Sequence, residues 1–430
     1  MPQPQLSKTF IDRVPFFYGW VVLISVCCAG FSRQGPAVAT LSIFVTPMTT
    51  EFGWSRTAIS GAVSLGGVLA ALLSPAIGTY LDRAGARSVL CLAVLSTAVT
   101  TMLLPFTESI FIFYFLFCLA RMNFAGPYDL GIYGAVNNWF IRRRSFATAV
   151  VNLAQMAGLV AMPIIAQVAI LYSNWRGGWL AIGLTILLVG FIPVWLFMIR
   201  RPEDVGLQPD GPSSGSPESK SSLQKPQRTV EPTFNRRQAI STPAFWLLSL
   251  FTILVYPVQA GVSLHQAPHL IECGLDPTVA ATVVSTFSLV SAIVGFGLGF
   301  WPSTFPLRFV LGATGIALGT SSLLMLNIAS PIDAYVASAV FGIGIGGLLT
   351  ALPLAWANYF GRKNFGSIRG AALTMQVLAQ ASGPLLSGAF RDITGTYNLS
   401  LTFFAVLAFS GAVIGVVARP PKLSVEVPDQ

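Results

Sequence analysis

Charged side chains are scarce: Asp, Glu, Lys and Arg make up 10% of the 430 residues, against roughly a quarter in soluble proteins. Histidine occurs twice, as His265 and His269, with no third ligand clustered beside the pair, which argues against a metal centre. Of the five cysteines, Cys27, Cys28, Cys91 and Cys118 lie in apolar runs and Cys273 stands apart; no ligand spacing and no disulfide framework follows from them. No nucleophile–base pair is legible either, so the expectation is a protein that is not an enzyme and holds no cofactor. The first apolar stretch, Phe16 to Phe44, is too long for a cleavable signal peptide and lacks a small-residue cleavage site.

What the chain does have is apolar length: 54% of it is hydrophobic. Twelve apolar spans lie between charge runs or turn clusters, at about 17–46, 55–81, 88–106, 109–139, 145–172, 177–199, 243–271, 278–301, 306–328, 332–359, 366–390 and 397–418. Helices of roughly 20 residues cross about 30 Å of hydrocarbon, and lipid leaves an uncovered backbone few alternatives to the helix. The expected fold class is therefore an all-α membrane protein of twelve transmembrane helices.

The net charge of +9 reads as topology and not as nucleic-acid binding. With both termini cytoplasmic, that side collects twenty of the 25 basic residues, including Lys8, Arg13, Arg83, Arg87, Arg142, Arg143, Arg144, Arg308, Arg362, Lys363, Arg369, Arg419 and Lys422. Three, Arg56, Arg176 and Arg391, fall on the other side, and Arg33 and Arg121 fall inside spans. A polar segment of 39 residues rich in Pro, Ser and Gly follows the sixth span and is expected to be a flexible linker. It divides the chain into a first six-helix half (1–200), a cytoplasmic linker (201–242) and a second half (243–430). "NWFIRRR" at 138–144 returns as "NYFGRKN" at 358–364, offset by 220, and "EFGWSRT" at 51–57 as "ECGLDPT" at 272–278, offset by 221. The halves thus read as parallel repeats, an arrangement used by secondary transporters.

Between the second and third spans stands "GTYLDRAGARSV". Gly78 and Gly85 permit close helix approach and a tight turn. Asp82 is able to cap or pair with a neighbouring helix end, and Arg83 and Arg87 anchor the loop at the surface. With twelve spans and a central linker, this loop resembles the signature of the major facilitator superfamily, where such a loop is part of the gate. The corresponding stretch in the second half, "GFWPSTFPLR", keeps Gly299 and Arg308 but not the Asp-Arg pair. "FYGWVVL", "EFGWSRTAIS", "RRPEDVGLQPDG", "TPAFWLL" and "YFGRKNFGSIRG" resemble the bacterial branch related to monocarboxylate transporters and oxalate/formate exchangers. That resemblance implies two six-helix bundles working by alternating access, a carboxylate substrate, and a monomer. The basic residue that such transporters carry in span eight is absent here.

Three ionisable residues sit well inside first-half spans: Arg33, Arg121 and Asp129. At 1.5 Å per residue, Asp129 lies about 15 Å from the cytoplasmic end, Arg33 about 20–25 Å and Arg121 about 27 Å. An intramembrane charge costs at least about 2.5–3.5 kcal/mol, which makes each a functional candidate. Two arginines and one aspartate leave a positive cavity, and a guanidinium can hold a carboxylate through two parallel bonds. Arg33 is thus the expected anion contact, assisted by Arg121, with Asp129 taking up a proton when substrate claims its guanidinium partner. The alternative is that Arg33 and Asp129 form a structural pair while Arg121 bonds backbone carbonyls. With Arg308 and Arg369 counted on the cytoplasmic side, the second half has no intramembrane Arg or Lys on this reading, so its candidates are His265, Gln259 and Gln376, joined by Tyr128 from the first half. Partners are then a small organic anion, a proton and the bilayer of a cell membrane, the bacterial inner membrane being expected. Efflux of a drug or neutral metabolite, and a sensor that kept the fold without transport, remain the competing functions.

Overall fold

Apolar runs this long can only satisfy their own backbone groups locally, and the chain is helical almost throughout. The structure is a computed structural model that describes residues 15–211, 232–300 and 305–421. Lys8, Arg13, Lys422, the middle of the linker and residues 301–304 of the "GFWPSTFPLR" loop lie outside the described residues.

The first span is two helices, α1 (Gly19–Ser32) and α2 (Val38–Phe52), separated by turns at 33–37. Pro36 sits in that break, where its missing N–H and fixed φ disfavour helix. The second and third spans are α3 (Arg56–Ala84) and α4 (Ala86–Leu103). The fourth span is also divided, into α5 (Ile110–Ala125) and α6 (Pro127–Trp139), with Gly126 between them and Pro127 opening the new helix. Then come α7 (Arg144–Tyr172), α8 (Trp175–Thr185) and α9 (Ile192–Phe197), the last two joined by a π-helical turn over Ile186–Phe191. A short α10 (Arg236–Ile240) precedes the second half: α11 (Pro243–Glu272), α12 (Pro277–Leu298), α13 (Leu307–Leu324), α14 (Pro331–Phe360), α15 (Phe365–Thr394) and α16 (Asn398–Val417).

Among the described residues, nine helical stretches are long and apolar enough to cross a membrane by length and composition. Helix α15 is not one of them, because Arg369, Gln376 and Gln380 interrupt its apolar run. The perimeter of the bundle is apolar and uncovered: Phe111, Phe115, Leu171, Leu385 and Ile393 are among many large side chains left exposed. Such a belt in water would be an aggregation surface; against lipid it is the expected exterior.

Two seams join the halves, α3 along α15 and α7 along α12. They are equivalent under the sequence repeat, since each pairs the second span of one half with the fifth of the other. Along the first seam the backbones nearly touch. A Cβ on Gly78 would collide with the carbonyl of Gly366, and one on Gly370 with the carbonyl of Ser74. Small residues here let the helices approach, and the Thr374 hydroxyl donates to the Ala71 carbonyl at 2.7 Å.

The linker departs from expectation at its edges. Rather than flexible throughout, it begins with a 3₁₀ turn (Pro202–Val205), and the Asp210 carboxylate accepts from the backbone N–H groups of Ile141, Arg142 and Arg143. At its other edge Asn235 and Gln238 form a capping box for α10, and Asn364 donates to the Phe234 carbonyl. Polar composition alone hid these caps, because the residues that favour disorder also favour turns and helix starts.

Candidate functional site

The breaks in the first and fourth spans lie side by side. Each exposes a carbonyl that its own helix cannot satisfy, and an arginine of the other span supplies the donor. Arg33, at the C-terminal cap of α1, donates through Nε to the Phe124 carbonyl at 2.9 Å. Arg121 donates through Nη1 to the Pro36 carbonyl at 3.4 Å. Both guanidiniums lie over the Phe124 ring, that of Arg33 at 4.7 Å and that of Arg121 at 4.1 Å from its centroid. A methyl group on Gly66 of α3 would strike the Arg121 stem, so that side chain is wedged into place.

Arg33 also donates through Nη1 to Gln155 Oε1 at 2.8 Å and stands 3.8 Å from Asp129 Oδ1. Asp129 is in the first turn of α6, where the helix dipole favours a carboxylate. Its other oxygen meets Arg369 Nη2 of α15 at 3.3 Å, and that nitrogen also donates to Gln376 Oε1 at 2.7 Å. One buried carboxylate therefore lies between two guanidiniums, one from each half. Gln155 and Gln376, 221 positions apart like the second repeat match, each serve one of the two arginines.

This corrects the expectation that the second half brings no intramembrane cation. Arg369 is only 1% exposed. Counting inward from Arg362 and Lys363 put it at the membrane surface, but α15 is covered at that level by α3 and α6 of the other half. A signal existed: Arg369, Gln376 and Gln380 are spaced by seven and four, which aligns them as one polar stripe.

A second polar strand runs beside the first. Tyr133 donates its hydroxyl to Asn152 Oδ1 at 2.9 Å, and Gln155 Nε2 donates to the same oxygen at 3.3 Å. Asn152 then reaches across to α14, donating to the Leu349 carbonyl at 3.1 Å and to Thr350 Oγ1 at 3.2 Å. Asn152 and Gln155 were not singled out from sequence. They stand three apart on α7 and face the same way, a pattern visible only once their neighbours are known.

The remaining candidates divide. Gln376 joins the charged centre, and Tyr256 of α11 lies within electrostatic reach of Arg369 and Asp129. Gln259 accepts from Gln380 Nε2 at 3.2 Å, bridging α11 and α15 without a bond to the centre. Tyr128, next to Asp129 in the chain, is fully buried within the first half, beside Thr97 and within electrostatic reach of Arg33. His265 is held inside the second half by Tyr397 Oη at 3.2 Å and the Pro384 carbonyl at 3.3 Å. The contacts of His265 do not bring it to the Arg33–Asp129–Arg369 cluster.

In the last turn of α3, the Asp82 carboxylate accepts the N–H groups of Gly366 at 2.8 Å and Ser367 at 2.7 Å, the first turn of α15 in the other half. Gly85 adopts φ +87°, a conformation that side chains rarely tolerate, and turns the chain into α4. Arg87 donates to the Trp195 carbonyl at 3.0 Å, while the Arg83 carbonyl accepts from Arg200 at 2.8 Å. At the same end Arg144 donates to Asn358 Oδ1 at 2.8 Å and Arg362 to the Asn138 carbonyl at 3.0 Å. The linker-side ends of the halves are bound to each other.

Comparison with known proteins agrees with this architecture. The family model described as Major Facilitator Superfamily matches residues 22–265. The membrane sensor protein UhpC of Salmonella typhimurium is 26% identical over 358 residues, 80% of this chain and 78% of its own. Monocarboxylate transporter 12 of Rattus norvegicus is 22% identical, covering 93% of this chain and 85% of its own. The oxalate:formate antiporter of Oxalobacter formigenes is 23% identical, covering 99% and 97%. Among solved structures, the proton:xylose symporter XylE superposes with a TM-score of 0.72 over 92% of this chain and 94% of its own, at 12% identity, a likeness of fold.

Proposed function

Because the chain belongs to the major facilitator superfamily, we propose that it is a secondary active transporter moving a small organic anion, most simply a monocarboxylate, by alternating access. The observation that carries this reading is the guanidinium of Arg33, held at a helix break beside a buried carboxylate that faces the other half. Discontinuous spans are where such transporters build their sites. The names of two relatives, a monocarboxylate transporter and an oxalate:formate antiporter, support a carboxylate cargo.

The linker side is cytoplasmic on this proposal, as the distribution of Lys and Arg favours, nineteen to three once Arg369 is counted inside the bundle. An anion entering a negative interior works against about 2.3 kcal/mol per 100 mV, so uptake calls for proton cotransport or exchange. Asp129 is the proposed proton carrier. When substrate occupies the arginines, the carboxylate loses its partners and protonation becomes favourable. Asp82, Arg83 and Arg87, with Gly78 and Gly85, form the proposed latch of the cytoplasmic side.

Counterflow of a labelled carboxylate into liposomes loaded with the unlabelled acid tests the proposal, with a pH gradient added to test coupling. Arg33→Lys keeps charge but loses the fork and is expected to weaken affinity by about ten-fold; unchanged affinity and rate would remove Arg33 from the site. The similarity to UhpC favours a second reading, a sensor that binds without transporting, for which the expected result is binding with no flux.

A further inference from the structure

Asp129 is a poor match for the arginines around it. Its contacts to Arg33 and Arg369, at 3.8 and 3.3 Å, are longer than the roughly 2.7–2.9 Å of a well-made charge-assisted bond. Arg369 is the less satisfied of the two. Of its three guanidinium nitrogens only Nη2 is engaged, while Nε and Nη1 are buried without a hydrogen-bond partner among the described residues. A charged donor left unpaired out of water is costly. A purely structural ion pair would be expected to fill those positions with carbonyls, as Arg33 fills its own with Phe124 and Gln155. The balance of charge points the same way. Arg33 and Arg369 share a single carboxylate, so the centre is short of negative charge.

We infer that Arg369 is the second-half contact of the transported anion: an incoming carboxylate takes its open donors, and Asp129 holds the place in the absence of cargo. The inference rests on the proposed anion-transport function but concerns binding, which can be measured without flux. It supplies what the sequence of the eighth span lacks, a cation in the second half that grips cargo held by Arg33 in the first. Substrate then touches both halves, which is what makes their relative movement sensitive to its presence.

The test is the thermal midpoint of the purified full-length protein, titrated with sodium acetate, propionate, lactate and oxalate against sodium chloride at matched ionic strength. Asp129→Asn removes the placeholder, so at least one of these acids is expected to raise the midpoint of that variant more steeply than that of the unsubstituted protein. Adding Arg369→Gln is expected to weaken the response by about ten-fold or more, with Arg369→Lys in between. An unchanged titration in the Arg369→Gln protein overturns the inference, as does the absence of any carboxylate-specific shift in Asp129→Asn. If Asp129→Asn does not survive purification, the Arg369→Gln and Arg369→Lys variants are titrated alone against the unsubstituted protein, a weakened carboxylate response being expected and an unchanged one, or none in any of the three, overturning the inference. Arg369-dependent binding without counterflow would retain the contact and reject transport.

Discussion

Asp129 makes the energetic logic of the centre testable at a single residue. Removing one partner of a buried ion pair costs about 3–5 kcal/mol, because the other charge is left uncompensated. Asp129→Asn is therefore expected to lower the thermal midpoint clearly, and Asp129→Asn combined with Arg369→Gln to recover part of the loss. The double-mutant cycle reads the coupling directly. Strictly additive losses would mean that the 3.3 Å contact contributes nothing. Arg121 belongs to another class, since its guanidinium serves a helix-break carbonyl and an aromatic face. Arg121→Gln is expected to lower the thermal midpoint while leaving the acetate response of the Asp129→Asn background within about two-fold, because the carbonyl contact is local; loss of that response would make Arg121 an anion ligand. Sequence alone reached Arg33, Arg121 and Asp129, because a charge inside an apolar run is costly and so stands out, whether its role is structural or functional. It missed Arg369, whose run begins with other charges and whose burial comes from helices in the other half.

At the scale of elements, the helices were legible because apolar length acts locally, whereas the spans at 17–46 and 109–139, read as continuous, divide at Pro36 and at the Gly126–Pro127 step. The packing of α15 was not legible, since no local signal says which helix will cover it. That cover is held partly by Asp82, which caps the first turn of α15 from across the seam. Losing a cap costs about 0.5–2 kcal/mol. Asp82→Ala is thus expected to open the linker side more often, so a cysteine placed at the buried Ser74 should react with maleimide several-fold faster. Equal labelling rates with and without Asp82 would deny the cap any part in closure. On the opposite side, Glu51 at the tip of α2 bonds Arg176 and Trp175 at the start of α8, and the bond from Arg176, followed by that from Trp175, holds its carboxyl below the ordinary value. A lowered carboxyl contributes stability above its unfolded value near 4.5, lost as pH falls through the folded one. Trp175 emission is expected to change in acid below that ordinary value, and Glu51→Gln to abolish the transition; a transition that persists in Glu51→Gln has another origin.

For the whole molecule, the repeat explains why closure involves so many separate bonds. Arg144 meets Asn358 while Arg362 meets the Asn138 carbonyl, and Asn138 and Asn358 are repeat equivalents. The two seams, α3 with α15 and α7 with α12, are likewise related by the repeat. Halves joined by two equivalent seams can rock about the centre between them, and Arg33, Asp129 and Arg369 lie at that centre. Alternating access then requires the seam at Ala71 and Thr374 to part in every cycle. With the five native cysteines replaced, the pair Ala71→Cys and Thr374→Cys is expected to form a disulfide on mild oxidation. That link should arrest counterflow, and reduction should restore it to the rate of the unlinked protein. Carboxylate binding, read by thermal shift, should survive the link, because the proposed site lies between the halves as they stand with the linker side closed. Counterflow that continues at full rate through the oxidised protein would show that cargo passes without separation of this seam. The rocking of two rigid halves would then give way to a smaller, local gate.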